Sequence, residues 1–269
     1  MSNNRNKEES FYDDKEEYRR SLRLIDDDFM TLFFNNFNEG AQLLLDIILD
    51  RKDIKVKSVH TQEIMKSLTG RDVWLDILAT DEEGNKYNIE IQRAAPGADR
   101  RRARYHSSMI DSSMMPPNSD FSDLGENYVI FITEHDILGL REPIYHIDRY
   151  IEESGEPFND GEHIIYVNAS MRNHDTKLGK LMNDLYCREV SEMHYKTLSK
   201  RVKYYKETEK GEMNMNETIE AIHKKWKEEA CIENAIKMLN LGKNSFEEIA
   251  ECTGLSIEKI RALAEGEAV

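Results

Sequence analysis

Two acidic residues whose spacing could bind a metal ion lie in the segment 71–93, RDVWLDILATDEEGNKYNIEIQR. In this segment, apolar and polar residues alternate on both sides of a short polar loop that contains a glycine, which is typical of a β-hairpin. If the loop is symmetric about Glu83, Asp76 lies directly opposite Glu90. Their Cβ atoms would then be roughly 4.5–5.5 Å apart.

Two opposed carboxylates repel each other, and a hard divalent cation between them would remove that repulsion. Mg²⁺ takes one or two carboxylates together with water and phosphate oxygens. The spacing leaves two interpretations open. Asp76 and Glu90 either hold a metal ion or belong to the polar outer face of a surface hairpin, since a one-residue change of register would separate them.

Composition limits the class of protein. The chain has 269 residues, of which 52 are acidic and 37 are basic, so its net charge is −15 and its pI is near 5.1. This argues against a protein whose main task is to coat nucleic acid, but it allows an enzyme with one local basic patch. We expect a cytoplasmic protein, because the sequence shows no membrane span and no secretory signal, and its three cysteines are scattered.

The elements that must position the two carboxylates follow from periodicity. We predict helices over 22–50, 98–111, 175–187 and 191–206, and strands over 54–64, 127–134, 143–151 and 163–168 around the hairpin. The domain prediction is a polar tail over residues 1–21, an α/β domain over 22–206 and an all-helical region over 207–269. Residues 207–216 are the predicted hinge, and a long helix is expected over 217–241.

The last part of the chain, residues 244–265, has clear helix boundaries. Ser245 and Glu248 form a capping box, Gly254 stands at a helix C-cap and Ser256 can cap the next helix. Together these signals predict a helix-turn-helix hairpin. Its acidic residues argue against DNA reading, so we favour a structural role and a homodimer formed through the C-terminal helices.

The order of elements resembles a known family. A helix, a strand, a hairpin with Asp76 followed by I-E-x-Q, a basic helix and a buried strand resemble the PD-(D/E)XK nuclease fold, in particular the Rpn recombination-promoting nucleases, often labelled transposases. The motifs are LDILATDEEGNKYNIEIQ and RRRARYHSSMID, and the resemblance covers about residues 25–205. It implies a restriction-endonuclease-like α/β core, a central mixed sheet flanked by helices, with an all-α C-terminal extension.

The resemblance also implies an activity, the hydrolysis of DNA phosphodiester bonds with Mg²⁺ or Mn²⁺. Asp76 and Glu90 would be metal ligands, and Gln92 would stand where the wider superfamily has a lysine. A lysine ammonium can offset developing negative charge, whereas a neutral amide can only position water by hydrogen bonding. An acidic residue from the first helical region often completes the metal site, and the candidates are Glu39, which we prefer, and Asp28.

One dense basic cluster follows the hairpin, formed by Arg100, Arg101, Arg102 and Arg104. Arg101 and Arg104 are three residues apart on a helix and can act together on phosphate oxygens. We predict that these two contact DNA with Tyr105 beside them, and that His106 can lie near the site. The alternative is that the arginines form a solvated face paired with some of the many carboxylates.

Three functions therefore compete at this point. The first is a metal-dependent DNA endonuclease, for which Asp76, Glu90 and Gln92 are the candidate catalytic residues. The second is a non-catalytic module that binds nucleic acid or protein on a nuclease-like fold. The third is a structural oligomer built on the helical tail.

Overall fold

The structure is a computed structural model that describes residues 17–67, 71–93 and 95–265. Most of the predicted tail over 1–21 lies outside the described residues, and its last part, 17–21, is helical. The helices are α1 (Asp27–Phe34), α2 (Asn38–Ile48), α3 (Arg100–Met114), α4 (Lys177–Tyr186), α5 (Lys196–Glu207), α6 (Glu209–Leu241), α7 (Phe246–Thr253) and α8 (Ile257–Glu265). The strands are β1 (Val56–Met65), β2 (Val73–Asp81), β3 (Lys86–Gln92), β4 (Asn127–Thr133), β5 (Ile144–Ile147) and β6 (Glu162–Asn168).

A mixed six-stranded sheet in the order β1-β2-β3-β4-β6-β5 forms the centre of the fold. β1, β2 and β3 are antiparallel, β3, β4 and β6 are parallel, and β5 is an antiparallel edge strand on β6. The helix α3 lies in the connection from β3 to β4 and packs over β4 with flanking contacts to β1, β2 and β6. The predicted fold class, a mixed sheet flanked by helices with a helical C-terminal extension, is confirmed.

The centre of the sheet lies at β3 and β4. β4 is buried over all seven residues, which suits its continuous apolar run NYVIFIT, because parallel strands in the middle of such sheets are covered on both faces. β3 is buried over its five inner residues, including Asn88 and Glu90. The interpretation of the hairpin as a surface element with a polar outer face is therefore wrong, since the polar residues of β3 lie inside the protein.

The hairpin loop fixes the register of β2 against β3. Asp81 accepts hydrogen bonds from the backbone N–H groups of Glu83 (3.0 Å) and Asn85 (2.9 Å) and from the Tyr87 hydroxyl (2.9 Å). Gly84 takes a φ of +93°, which glycine adopts without strain. The pairs Ile77↔Ile89 and Leu78↔Asn88 confirm that the loop is symmetric about Glu83.

Hydrogen bonds fix α3 against β4. Asn127, the first residue of β4, is buried, and its Nδ2 donates to Ser107 O (2.9 Å), to Ser107 Oγ (3.0 Å) and to Asp111 Oδ1 (2.9 Å). At the start of the helix, Asp99 caps α3 by accepting from the backbone N–H of Arg101 (2.7 Å). The rotation of α3 about its axis is thereby set, and with it the direction of each arginine.

The first helices pack beside β1 and β2, around an aromatic core. Phe33 makes edge contacts with the rings of Phe29 (5.8 Å), Phe34 (5.0 Å) and Phe37 (5.4 Å). Lys206 at the end of α5 fastens the segment before α1, because its ammonium donates to the carbonyls of Arg20 (3.1 Å) and Leu22 (2.6 Å). The start of α1 is thus held firmly, which matters for the acidic residues there.

The C-terminal part begins differently from the prediction. Residues 209–216, expected as a hinge, are the first turns of α6, because their glutamate and methionine residues favour helix. By compactness the chain divides into residues 1–212 and 213–269. Among the described helices, none combines the length and apolar character that a bilayer span requires.

The predicted caps of the C-terminal hairpin are confirmed. Ser245 and Glu248 form a complete capping box, and Gly254 is a left-handed C-cap with φ of +72°. Ser256 Oγ accepts from the backbone N–H of Lys259 (3.2 Å). Ile249 and Ile260 are buried together with Ala235 of α6 in a small separate core.

Candidate active site

The candidate site lies where β2 and β3 part. The regular ladder between them ends at the pair Ile77↔Ile89. Beyond this pair, β2 stays paired with β1 as far as Val73, and β3 stays paired with β4 as far as Gln92. The next pair in register would be Asp76 with Glu90.

The two carboxylates fill the place of the missing ladder. Glu90 Oε1 accepts from the backbone N–H of Asp76 (3.2 Å), and Asp76 Oδ2 accepts from the backbone N–H of Ile91 (3.1 Å). Two acidic side chains are thus brought to one point by the main chain itself. The opposition of Asp76 and Glu90 that the symmetric loop predicted is present in the structure.

Arg102 of α3 is the arginine that reaches this pair. Its Nη2 donates to Glu90 Oε2 (2.9 Å), and its Nη1 donates to the carbonyl of Gly97 (3.0 Å) and lies 3.5 Å from Gln92 Oε1. The Glu90 side chain is fully buried, whereas that of Arg102 is 36% exposed. The guanidinium therefore forms one side of the site and remains open to an incoming anion.

His106, one turn further along α3, lies beneath the arginine. The Nε–H of Arg102 donates to His106 Nε2 (3.1 Å), and a guanidinium can only donate, so that ring nitrogen carries no proton. The ring proton is then on Nδ1, which lies 3.5 Å from Glu90 Oε1 and 3.2 Å from the amide of Asn88. The atom of Asn88 that faces this nitrogen is Nδ2, and within the described residues Asn88 Oδ1 is buried without a hydrogen-bond partner. An Asn88 amide turned by 180° would place the oxygen beside Nδ1 as the acceptor of its proton.

Gln92 completes the group. Its Nε2 lies 3.5 Å from Asp76 Oδ2 and 3.4 Å from Glu90 Oε2. Gly97 leaves room for this amide, because a Cβ at position 97 would overlap Gln92 Oε1. The three predicted catalytic residues, Asp76, Glu90 and Gln92, therefore converge, and Gly97 is needed for the third to do so.

The electrostatics of the pair are unfavourable without a cation. Burial first, and then the negative charge of Glu90, raises the pKa of Asp76 well above its ordinary value. The hydrogen bond from the backbone N–H of Ile91 and the charge of Arg102 act in the opposite direction but do not cancel the shift.

The acidic residue of the first helices that acts on the pair is Asp27. Its charge further raises the pKa of Asp76, which places the first turn of α1 beside the site. Of the two residues considered from the sequence, Asp28 is buried and accepts from the Tyr18 hydroxyl (2.5 Å), and Glu39 is exposed in the first turn of α2. The part of either residue in a metal site stays a prediction.

The predicted phosphate-binding residues lie away from the carboxylates. Arg101 and Arg104 are exposed, and Tyr105 donates from its hydroxyl to the carbonyl of Arg71 (2.6 Å) at the start of β2. Sequence reasoning missed Arg102 because all four arginines look alike in the sequence. The only usable signal was its four-residue spacing from His106, which places both on one helix face.

A divalent cation fits the donor set. Within the described residues, no group of three or more His, Cys, Asp or Glu side chains is placed to hold a metal ion, so the protein offers the pair Asp76 and Glu90. Mg²⁺ is commonly bound by one or two carboxylates and completes its shell with water and phosphate oxygens. A cation would also relieve the repulsion that raises the pKa of Asp76.

The chain was also compared with known proteins. The model of a family described as PD-(D/E)XK nuclease family transposase matches residues 23–250. The search of curated proteins found no match, and the search of solved structures found none.

The raised pKa of Asp76 predicts a pH effect on stability in metal-free buffer. Between the ordinary aspartate pKa of about 3.9 and the higher pKa in the folded protein, the folded state binds more protons than the unfolded state. The contribution of Asp76 to the stability of the wild-type protein therefore falls as the pH rises through this window. Asp76→Asn keeps an acceptor for the Ile91 N–H and should remove the fall, so that it is more stable than wild type above the window.

Urea unfolding in EDTA at a series of pH values measures this difference. Glu83→Gln is the matched control, because it removes one carboxylate from the exposed loop of the same hairpin. Parallel pH profiles for wild type and Asp76→Asn would show that the pair carries no repulsion.

Proposed function

Because the chain belongs to the PD-(D/E)XK nuclease family transposases over residues 23–250, we propose that it is a Mg²⁺-dependent endonuclease that hydrolyses DNA phosphodiester bonds. The single observation that carries this proposal is the meeting of Asp76 and Glu90 where the β2–β3 ladder opens, with Arg102 beside them. Mn²⁺ would serve as an alternative cation. Recombination, mobile-element movement and defence are the processes in which we place such an activity.

The chain's own residues would divide the work. Asp76 and Glu90 would hold the cation, and a bound cation would supply Lewis-acid stabilisation of negative charge on the phosphate. Gln92 offers an amide N–H and a carbonyl oxygen beside both carboxylates, and it can orient an attacking water.

Arg102 supplies the positive charge that a lysine at position 92 would bring in the wider superfamily. Its guanidinium lies between Glu90 and Gln92 and is always protonated. A fixed cation aimed at a developing oxyanion is typically worth several kcal/mol of transition-state stabilisation, roughly 10²–10³ in rate. His106 Nε2 and the Gly97 carbonyl accept hydrogen bonds from the Arg102 guanidinium and hold it in place. The guanidinium therefore needs little reorganisation during the reaction.

Cleavage of supercoiled plasmid with Mg²⁺ tests the activity. We expect Asp76→Ala and Glu90→Ala to lower the rate at least about a hundredfold while the fold remains intact, because each removes a proposed metal ligand. Glu83→Ala should cut like wild type, since that carboxylate lies on the exposed loop. Undiminished cleavage by both variants would overturn the proposal.

A second function has an observation in its favour. Gln92 replaces the superfamily's lysine, and Glu90 is already paired with Arg102, so the fold could serve as a non-catalytic nucleic-acid- or protein-binding module. Wild-type protein that binds DNA but fails to cut it with Mg²⁺ or Mn²⁺ would favour this alternative.

The contact between Gly97 and Gln92 predicts non-additive effects on cleavage. Gly97→Ala should displace the flexible end of Gln92 and lower the rate about as far as Gln92→Ala does, with little loss of stability. In the double variant Gln92→Ala/Gly97→Ala, the second change should cost nothing further, because the displaced group is gone. If each change lowers the rate by its own factor and the two factors multiply in the double variant, Gly97 acts on a group other than Gln92.

Self-association through the C-terminal helices and a cytoplasmic location remain predictions. Deletion of residues 213–269 should convert a dimer into a monomer, because it removes most of α6 with α7 and α8. Size-exclusion chromatography with light scattering on the full chain and on the truncated chain measures this. A full chain that elutes as a monomer would contradict the prediction.

A further inference from the structure

A cavity of about 600 Å³ lies between the N-terminal half of α3 and the β5–β6 edge of the sheet. This volume is in the range of small-molecule binding sites. The cavity belongs to the same compact unit as the candidate active site, and it is separate from Asp76 and Glu90, neither of which lines it.

The walls of the cavity are mostly apolar. Leu138 and Leu140 come from the loop before β5, Ile147 from the end of β5 and Ile164 from β6. Tyr166 also borders the cavity, but its ring is buried, since it stacks on Phe131 (5.4 Å between ring centroids) and its hydroxyl donates to the carbonyl of Ala98 (3.2 Å). Leu140 is 68% exposed, although an apolar side chain of that size gains by being covered.

Two arginines of α3 give the cavity a positive end. Arg100 and Arg104 both line it and are one helical turn apart, about 5.4 Å along the axis. In the described part of the chain, neither side chain has an acidic partner. Two free guanidinium groups are unusual in a protein of net charge −15, which has carboxylates in excess.

The acidic residues near the cavity are already paired. Glu162 and Asp160 both form ion pairs with Arg149, and Asp148 pairs with His163 (2.8 Å). The side chains that line the cavity are three cations, Arg100, Arg104 and Arg149, and two anions, Asp148 and Glu162, which gives a net charge of +1. Because Arg149 is held by its two carboxylates, the cations open to an anion are Arg100 and Arg104. The ligand that suits the cavity has an apolar, planar body and at least one phosphate.

We propose that this cavity binds one unpaired nucleotide of the DNA strand, with its base against the apolar side chains of Leu138, Ile147 and Ile164 and its phosphates on Arg100 and Arg104. The inference rests on the proposed function and adds a subsite to it. An unpaired base presents a flat face that apolar side chains can cover, whereas the faces of a base within a duplex are already stacked on its neighbours.

The position of α3 relates this subsite to the carboxylates. Arg102 is two residues from both Arg100 and Arg104 and so points to roughly the opposite side of the helix. The cavity and Glu90 are therefore about one helix diameter apart, on the order of 10 Å. A strand that crosses the first turn of α3, where Arg101 is exposed, would reach both.

Binding of a short single-stranded oligonucleotide in EDTA, followed by fluorescence anisotropy, tests the arginines without any cleavage. Arg100→Ala/Arg104→Ala should lower the affinity about tenfold, and the slope of log K against log salt should become flatter by about 1.4, or 0.7 for each phosphate contact. Arg188→Ala/Lys200→Ala removes the same charge from exposed positions elsewhere and should leave the slope unchanged. Equal effects of both double variants would overturn the proposal.

An abasic scan of the oligonucleotide tests the base. Removal of one base at a single position should lower wild-type affinity about fivefold or more, because the apolar wall of the cavity then loses the base that covers it. Leu140→Asp, at an exposed position that tolerates a polar residue, should bind more weakly and no longer respond to that abasic site. An abasic effect that persists in Leu140→Asp, or no effect at any position, would overturn the proposal.

The remaining outcomes separate this inference from the proposed function. If the cavity variants bind the oligonucleotide with wild-type affinity and plasmid cleavage depends on Asp76, the subsite is overturned and the endonuclease proposal is retained. Cleavage unaffected by Asp76→Ala, with binding that follows the cavity variants, would overturn the endonuclease alone. A free nucleoside monophosphate that competes as strongly as the oligonucleotide would show that the cavity binds free nucleotides. This result would overturn a subsite for the DNA strand.

Discussion

The candidate site depends on how backbone hydrogen bonds are shared within the sheet. β2 pairs with β1, and β3 pairs with β4, along their lengths. The ladder between β2 and β3 therefore stops at Ile77↔Ile89, before either strand ends. Where they separate, backbone N–H groups lose their usual acceptors, and a buried unpaired group costs free energy comparable to a hydrogen bond. Asp76 and Glu90 supply those acceptors. The architecture of the sheet thus explains why two carboxylates tolerate each other's proximity.

The buried carboxylate of Glu90 requires a partner, and α3 provides it. Breaking a buried ion pair by removing one member typically costs about 3–5 kcal/mol, compared with at most about 1 kcal/mol for an exposed pair. The pair of Glu90 with Arg102 lies between these limits, because the guanidinium is about one third exposed. The position of the Arg102 guanidinium depends in turn on Asn127, which fixes the rotation of α3 against β4. The hydrogen bonds from Asn127 to Ser107 and Asp111 therefore set where the Arg102 guanidinium lies in the site.

The sequence predicted what local pattern determines and missed what depends on packing. Alternation and the symmetric loop gave the register that opposes Asp76 and Glu90, and the capping residues gave the C-terminal helices. The same reasoning could not choose Arg102 among four arginines, because the rotation of α3 is set by a contact with β4. Asp27 was overlooked for a similar reason, since its influence on Asp76 arises only when α1 packs beside β2.

The acceptor role of the two carboxylates has a consequence for related chains that have lost catalysis. An amide oxygen can accept from a backbone N–H as well as a carboxylate oxygen can, and it brings no repulsive charge. Relaxed selection on the chemistry should therefore lead to asparagine at position 76 before any apolar residue, whereas the ion pair with Arg102 keeps a carboxylate at position 90. An acidic residue retained at position 76 as well would instead indicate that a bound cation offsets its repulsion with Glu90.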